Sequence, residues 1–259
     1  MFKILSLKGM IHSEQHVIDK KNKYKNMKKI IFLVLVGVLM VSCKVKNKTE
    51  SANSEGWVSL FDGTNYDNWS GYLSDDMHDE WTIDNGAMLY TPSENKKRDI
   101  ITKAEYTNFV LSLEWKISET GNSGIFWGVK EDPKLKIYET GPEVQVLDNE
   151  RHPDAFANPK YHQAGALYDM VQPTSDVCNP AGQWNKVELK INHKNNKGSI
   201  KLNGTIIVEF EPHGESWDAL IAKSKFKNSE VFGTYQTGHL GLQDHGNKVW
   251  YRDIKIKEL

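Results

Sequence analysis

The sequence predicts an all-β protein made of two packed antiparallel sheets, a sandwich or jelly roll. Three observations carry that expectation. Apolar and polar residues alternate with period 2 through much of the chain after Trp57, turn residues separate the alternating runs, and helical periodicity is scarce. The alternation is clearest from Phe109 to Ile117, where Phe109, Leu111, Leu113, Trp115 and Ile117 form one face and Ser112, Glu114 and Lys116 the other. Val187, Leu189 and Ile191 alternate in the same way between Lys186 and His193. Gly198 to Phe210 reads as a hairpin turning at Asn203-Gly204, because both residues tolerate the positive φ angles of a two-residue hairpin loop. One helix is expected over Ser216 to Phe226, where Trp217, Leu220, Ile221 and Ser224 recur at helical spacing. Val249 to Ile256 reads as a closing strand.

Composition narrows the class further. The 259 residues are 39% hydrophobic and 26% charged, the balance of a soluble globular chain. Two cysteines, Cys43 and Cys178, are too few for a disulfide scaffold or a thiolate zinc site. Eight Trp, ten Tyr and nine Phe suit a β-sandwich, or a surface that stacks on sugar rings. The net charge of −1 hides an asymmetry: residues 1–50 hold eleven lysines against Glu14, Asp19 and Glu50, so the remainder is acidic. An acidic body repels phosphate backbones, and no nucleic-acid partner is expected.

The positive charge belongs to an address. Met27-Lys28-Lys29 precedes the unbroken apolar run Ile30 to Val41 and then Ser42-Cys43, the order of an export signal. The run is shorter than the roughly 20 residues that span a bilayer. Leu39-Met40-Val41-Ser42-Cys43 resembles a bacterial lipobox, with Met40 in place of the usual Leu. That resemblance implies cleavage before Cys43 and acylation of its thiol, which anchors a protein at a membrane without spanning it. Residues 27–43 are therefore read as a lipoprotein signal peptide, and residues 1–26 as a misassigned upstream extension. Residues 44–56 read as a polar, flexible tether, and residues 57–259 as one folded domain. The expected location is the bacterial cell envelope, with Lys44-Val45-Lys46 arguing for a periplasmic orientation. Cys178 is left to pack as a small hydrophobe.

Three stretches carry more polar chemistry than strands and turns require. In Gly121 to Gly128 the glycines allow close backbone approach, and Asn122 can aim an amide at a ligand, or the stretch is only a tight turn. In Gly141 to Asn149, Glu143 and Gln145 project together, opposite Val144 and Val146. A carboxylate beside an amide can serve as base and substrate clamp, or merely solvate an open face. Asp148 has the opposite parity and joins Glu143 only if the strand ends or bulges near Leu147. In Gly238 to Gly246, His239, Gly241, Gln243 and His245 share a face. His239 and His245 lie about 20 Å apart by strand rise, too far to chelate one metal together. His245 at the strand end is the catalytic candidate and His239 the structural one.

Arg252 falls among Trp250, Ile254 and Ile256 on a face expected to be core, where a cation must be paired or line a pocket. Arg98-Asp99 precedes an apolar run and reads equally as a surface pair or a functional one. His152, His162 and Tyr168 lie in the long segment Asn149 to Gly182, expected to cross one sheet as loops, where sites gather.

Taken in order, these stretches resemble the 3-keto-disaccharide hydrolase domain family, long known only as a domain of unknown function. The resemblance rests on Gly56 to Thr64 with Trp69, Trp81-Thr82-Ile83 with Gly86, Tyr106 with Phe109, and Gly121 to Phe126. It continues through Glu143 to Asp148, Gly165 to Tyr168, Gly182 to Asn185, Leu202-Asn203-Gly204, Gly238 to Gln243 and Tyr251 to Ile256. It implies a concanavalin/laminin-G-like jelly roll, export, and cleavage of glycosides oxidised to a ketone at C3.

The chemistry of such a substrate defines what a site must hold. A C3 ketone acidifies the C2 hydrogen, so a base can remove it and form an enolate. Expulsion of the C1 alkoxide, helped by an acid, breaks the glycosidic bond, and water then adds. Glu143 and His245 are expected to supply the base and the acid, in either order. Arg252, with Arg98, would stabilise the enolate. Gln145, Asn122 and Gln243 would hold hydroxyls, with Trp127 or Tyr168 stacked on the ring. No cofactor is required, but a divalent cation held by Glu143, Asp148 and His245 is possible. The competing readings are a lectin-like sugar-binding lipoprotein that does not cut, and a structural surface lipoprotein.

Overall fold

The computed structural model describes residues 56–93 and 98–259. The segments read from the sequence as an upstream extension and a signal peptide, with Cys43, and all of the expected tether but Gly56 lie outside the described residues.

Thirteen strands make two antiparallel sheets among these residues. In chain order they are β1 (Val58–Phe61), β2 (Trp69–Gly71), β3 (Trp81–Asp84), β4 (Ala87–Tyr90), β5 (Ile100–Tyr106), β6 (Phe109–Ile117) and β7 (Asn122–Val129). There follow β8 (Glu143–Leu147), β9 (Asn185–Asn192), β10 (Lys197–Leu202), β11 (Thr205–Phe210), β12 (Gly238–Leu242) and β13 (Val249–Glu258). The larger sheet runs β11-β10-β9-β6-β13-β4-β3, with β1 also paired to β13, and the smaller runs β2-β5-β12-β7-β8. The result is the jelly-roll sandwich that the alternation predicts.

The alternating faces become the core. Leu111, Leu113 and Trp115 of β6 and Val187, Leu189 and Ile191 of β9 line the inner side of the large sheet. Ile125 and Trp127 of β7, Val144 and Val146 of β8, and Leu240 and Leu242 of β12 face them from the small sheet. The Asn203-Gly204 hairpin forms as expected, with φ of 49° and 89° and Leu202 paired to Thr205.

The predicted helix is present but sits slightly earlier, at Glu215–Lys223, and buries Trp217. We number it α3, because two single-turn helices that the sequence gives no sign of precede it: α1 (Ile137–Thr140) and α2 (Asp154–Ala157). Helix α1 lies on the outer face of the small sheet. There Ile137 joins Ile101, Phe126 and Val129 in a small buried cluster separate from the main core.

One parity expectation fails, with a clear cause. A bulge in β13 between Arg252 and Lys255, with Asp253 at φ 51°, inserts an extra residue and resets the alternation. Tyr251, Ile254 and Ile256 therefore face inward, and Arg252 faces out from the large sheet. Its guanidinium reaches Glu114 Oε2 at 2.7 Å and lies 3.9 Å from the centre of the Trp184 ring.

Because Ile137 fastens α1 to the small sheet, Ile137→Ala should cost about 2–5 kcal/mol of stability, read from chemical denaturation. It should also raise KM more than it lowers kcat, since the neighbouring Tyr138 lines the pocket described next.

Candidate active site

One edge strand of the small sheet is β8, and the chain covers it. Tyr168 N donates to Glu143 O at 3.0 Å, Gln145 N to Ala166 O at 3.1 Å, and Gly165 N to Gln145 O at 2.8 Å. This lays residues 161–171 along β8, satisfies its edge and brings loop side chains against the strand's outer face. With Val144 and Val146 committed to the core, Glu143 and Gln145 must face that covered side.

A pocket of about 220 Å3 opens there. Its floor is Asn122, Glu143, Gln145 and Gln243, with His245 at the rim. Its walls are Asp154, Tyr168, Tyr138 and Lys225. Six of the residues singled out in the sequence thus come together: Glu143, His245, Gln145, Asn122, Gln243 and Tyr168.

Glu143 is the most perturbed group on the floor. It is only 7% exposed, and Gly124 of the adjoining β7, diagonal to it across the strand pair, leaves room for its carboxyl. A Cβ on Gly124 would overlap the Glu143 carboxyl, so glycine there is a matter of space. Burial pushes the Glu143 carboxyl up from 4.5 to about 8; the Lys225 ammonium opposes the rise, and Asp154 and Asp99 add to it. Beside it, Asn122 Oδ1 and Gln243 Oε1 are buried acceptors with no hydrogen-bond partner among the described residues. Buried amide oxygens left open in a pocket can take a donor from a ligand or from ordered water. Gln243 is itself well held: its N–H donates to Gly124 O at 3.0 Å, and its carbonyl accepts from the Ser123 hydroxyl at 2.7 Å.

The wall is a hydrogen-bonded chain. Asp154 Oδ2 accepts from the Tyr168 hydroxyl at 3.2 Å and from Gln145 Nε2 at 3.5 Å. The Tyr168 ring stacks on His162, with centres 4.3 Å apart, and Lys225 Nζ lies 4.2 Å from its centre. Burial and the charges of Asp154 and Glu143 push the Tyr168 phenol up, so it stays a neutral donor. Tyr168 therefore reaches the pocket as a hydrogen-bonding wall whose ring is already engaged, a different role from sugar stacking.

Four sequence candidates lie elsewhere. Trp127 shares the inward parity of Ile125 and packs against Phe210 in the core, with centres 5.8 Å apart. Arg252 faces out from the opposite sheet. Arg98 pairs through Nε with Glu80 Oε2 at 3.0 Å and is not among the residues lining the pocket. Asp148 turns away to accept from Thr120 N at 2.8 Å and Glu150 N at 3.1 Å. Glu143, Asp148 and His245 therefore do not assemble as a ligand set, and no group of three His, Cys, Asp or Glu among the described residues is placed to hold a metal ion. His239 is not among the residues lining this pocket, and its Nδ1 lies 2.6 Å from Thr102 O.

The residues missed from the sequence are Asp154, Lys225 and Tyr138. Tyr138 and Asp154 sit on single-turn helices with no periodic signal, and Lys225 lies just past the end of the predicted helix, which its spacing alone does not direct to β8.

Comparison with known proteins fits this architecture. Residues 56–257 match the model of the 3-keto-alpha-glucoside-1,2-lyase-like domain. The chain belongs to that family. A relative in Bacteroides thetaiotaomicron, named 3-keto-disaccharide hydrolase, is 32% identical over 235 residues, covering 80% of each chain. A Parabacteroides distasonis crystal structure, described as a candidate glycosyl hydrolase, is 30% identical with TM-score 0.74, covering 82% of this chain and 97% of that one. A second from that organism is 25% identical with TM-score 0.62, covering 78% and 99%.

If space at Gly124 sets the Glu143 carboxyl, Gly124→Ala should displace it. The expected result is a loss of kcat of about tenfold or more in family-type assays, with a far-UV spectrum unchanged.

Proposed function

We propose that the protein is an exported, lipid-anchored enzyme that cleaves glycosides oxidised to a ketone at C3, by elimination across C1 and C2 followed by addition of water. Family membership and the relative's name support the substrate class. The observation that carries the reading is the buried Glu143 carboxyl, raised to about 8, beside the two open amide oxygens of Asn122 and Gln243. The amides take donors from sugar hydroxyls, and the carboxyl supplies a proton at neutral pH.

Glu143 takes the acid role in this scheme. It holds its proton through neutral pH, lies out of bulk water, and can protonate the departing C1 oxygen. Lys225, on the wall, supplies the positive charge for the enolate oxygen in place of Arg252 and Arg98, neither of which lines the pocket. Gln145 completes the floor. The base is drawn from His245 at the rim and Asp154 on the wall.

Incubating residues 57–259 with a 3-keto-glucoside and its unoxidised parent tests the reading: only the keto compound should be cleaved. Glu143→Gln should lower cleavage of an alkyl 3-keto-glucoside by about 10²–10⁴-fold while the fold persists. Wild-type kcat/KM should fall as pH rises through about 8, as the acid loses its proton. Full activity in the variant would remove Glu143 from the mechanism.

The same shift affects stability. The folded state keeps a proton that the unfolded chain releases above 4.5, so the advantage of the neutral carboxyl is complete below that value and lost as pH passes about 8. Glu143→Gln should therefore melt higher than wild type at about pH 9, with the gap closing towards about pH 4.

The anchor is tested separately. Labelled fatty acid should be incorporated into the full chain expressed in a bacterium, and Cys43→Ala should abolish it.

A further inference from the structure

His162 and Asp169 play no part in the scheme above, yet they stand directly behind its wall. His162 Nδ1 lies 2.8 Å from Asp154 Oδ1, and Nε2 lies 2.9 Å from Asp169 Oδ1. Asp169 also accepts from Asn158 Nδ2 at 3.0 Å and from Lys225 N at 2.7 Å. Burial works to raise the Asp169 carboxyl, but the Lys225 N–H, His162 and Asn158 together hold it below its usual range. Both ring nitrogens of His162 thus face carboxylate oxygens, and as a carboxylate can only accept, the ring holds Asp154 by donating Nδ1–H to it while Nε2–H goes to Asp169. One oxygen of Asp154 is tied down by this ring. The other, Oδ2, lies on the pocket side with Tyr168 and Gln145.

We propose that Asp154 is the base of the elimination, and that His162, backed by Asp169, is the positioning residue that aims it. This assignment rests on the 3-keto reading and chooses between the two bases left open there. His245 is exposed at the rim, its ring edge-on to His152 at 6.1 Å between centres. Asp154 is held by His162, Tyr168 and Gln145 in one orientation, as proton abstraction requires. The two carboxyls of the pocket are placed differently: Glu143 is stripped of water, and Asp154 is aimed by contacts on both of its oxygens.

The proton count closes. Asp154 Oδ2 takes the C2 hydrogen as a proton, and the C–H electrons form C2=C3 as the ketone oxygen becomes an enolate beside Lys225. The enolate re-forms its carbonyl, C1–O1 breaks, and O1 takes the Glu143 proton, leaving an enone. Water then adds at C1 and gives a proton to Glu143, while C2 recovers one from Asp154. Both groups end as they began.

The test separates proton removal from bond breaking. Exchange of the C2 hydrogen of a 3-keto-glucoside in deuterated water is followed by NMR, beside cleavage of substrates with alkoxide and with 4-nitrophenolate leaving groups. Asp154→Asn should lower exchange and both cleavages together by about 100-fold or more, with KM within about threefold. Glu143→Gln should keep exchange and 4-nitrophenolate release but lose alkoxide release, because a good leaving group needs no acid. His162→Gln should follow the Asp154 pattern at about tenfold, with melting temperature and KM little changed; a purely structural role would instead lower the melting temperature or raise KM. Wild-type exchange in Asp154→Asn, or loss of exchange in His245→Ala alone, overturns the assignment. If the wild type neither exchanges C2 nor prefers the keto compound, the elimination reading itself fails.

Discussion

A carboxyl held out of water against its own preference organises this site. Glu143 can occupy the covered face of β8 because Val144 and Val146 take the core side, because Gly124 leaves space, and because residues 161–171 close the strand edge above it. Each condition follows from the sandwich. Inward valines fix strand parity, the edge of a sheet must be covered, and the covering segment brings Tyr168 and the chain behind it. The fold and the site are therefore one packing problem, in which the buried charge is tolerated by staying neutral.

How far the sequence discloses this depends on which residues have a period. Glu143, Gln145, Asn122, Gln243 and His245 were legible because strand alternation places a side chain on a face without knowledge of the partner strand. Trp127 was legible by the same rule, since it shares parity with Ile125 and faces the core; its size suggested a sugar platform and its position denied it. Arg252 was misplaced because the bulge at Asp253 shifts parity by one, and no residue type in Tyr251 to Ile256 announces a bulge. Asp154 and Lys225 were invisible for a different reason. They flank single-turn or terminal helix segments and reach the pocket only because the loops fold back on β8, a tertiary event with no local signature.

The two carboxyls show why position outweighs residue type. Glu143 and Asp154 line the same pocket, but one looks onto buried amide oxygens and the other accepts donors from His162, Tyr168 and Gln145. Glu143, without such donors and out of water, favours its neutral form. The pair repel each other, which is why Asp154 contributes to the rise at Glu143. Lys225 opposes the rise at Glu143 and leaves a cation where an enolate oxygen would need one.

The rival reading, a lectin-like module, accounts for the open amides of Asn122 and Gln243 but not for the acid. Sugar binding is served by fixed amides and an exposed carboxylate, which accepts hydroxyl protons at no folding cost. Burying a carboxyl until it titrates near 8 costs several kcal/mol at alkaline pH, at roughly 1.4 kcal/mol for each unit of displacement. Surrounding structure must offset that cost, and hydroxyl recognition gains nothing from it, because a protonated carboxyl accepts more weakly than a carboxylate. Proton transfer does gain, since an acid is most effective when its pKa lies near the pH at which it works. The displaced carboxyl therefore favours a pocket that moves protons over one that only holds a sugar.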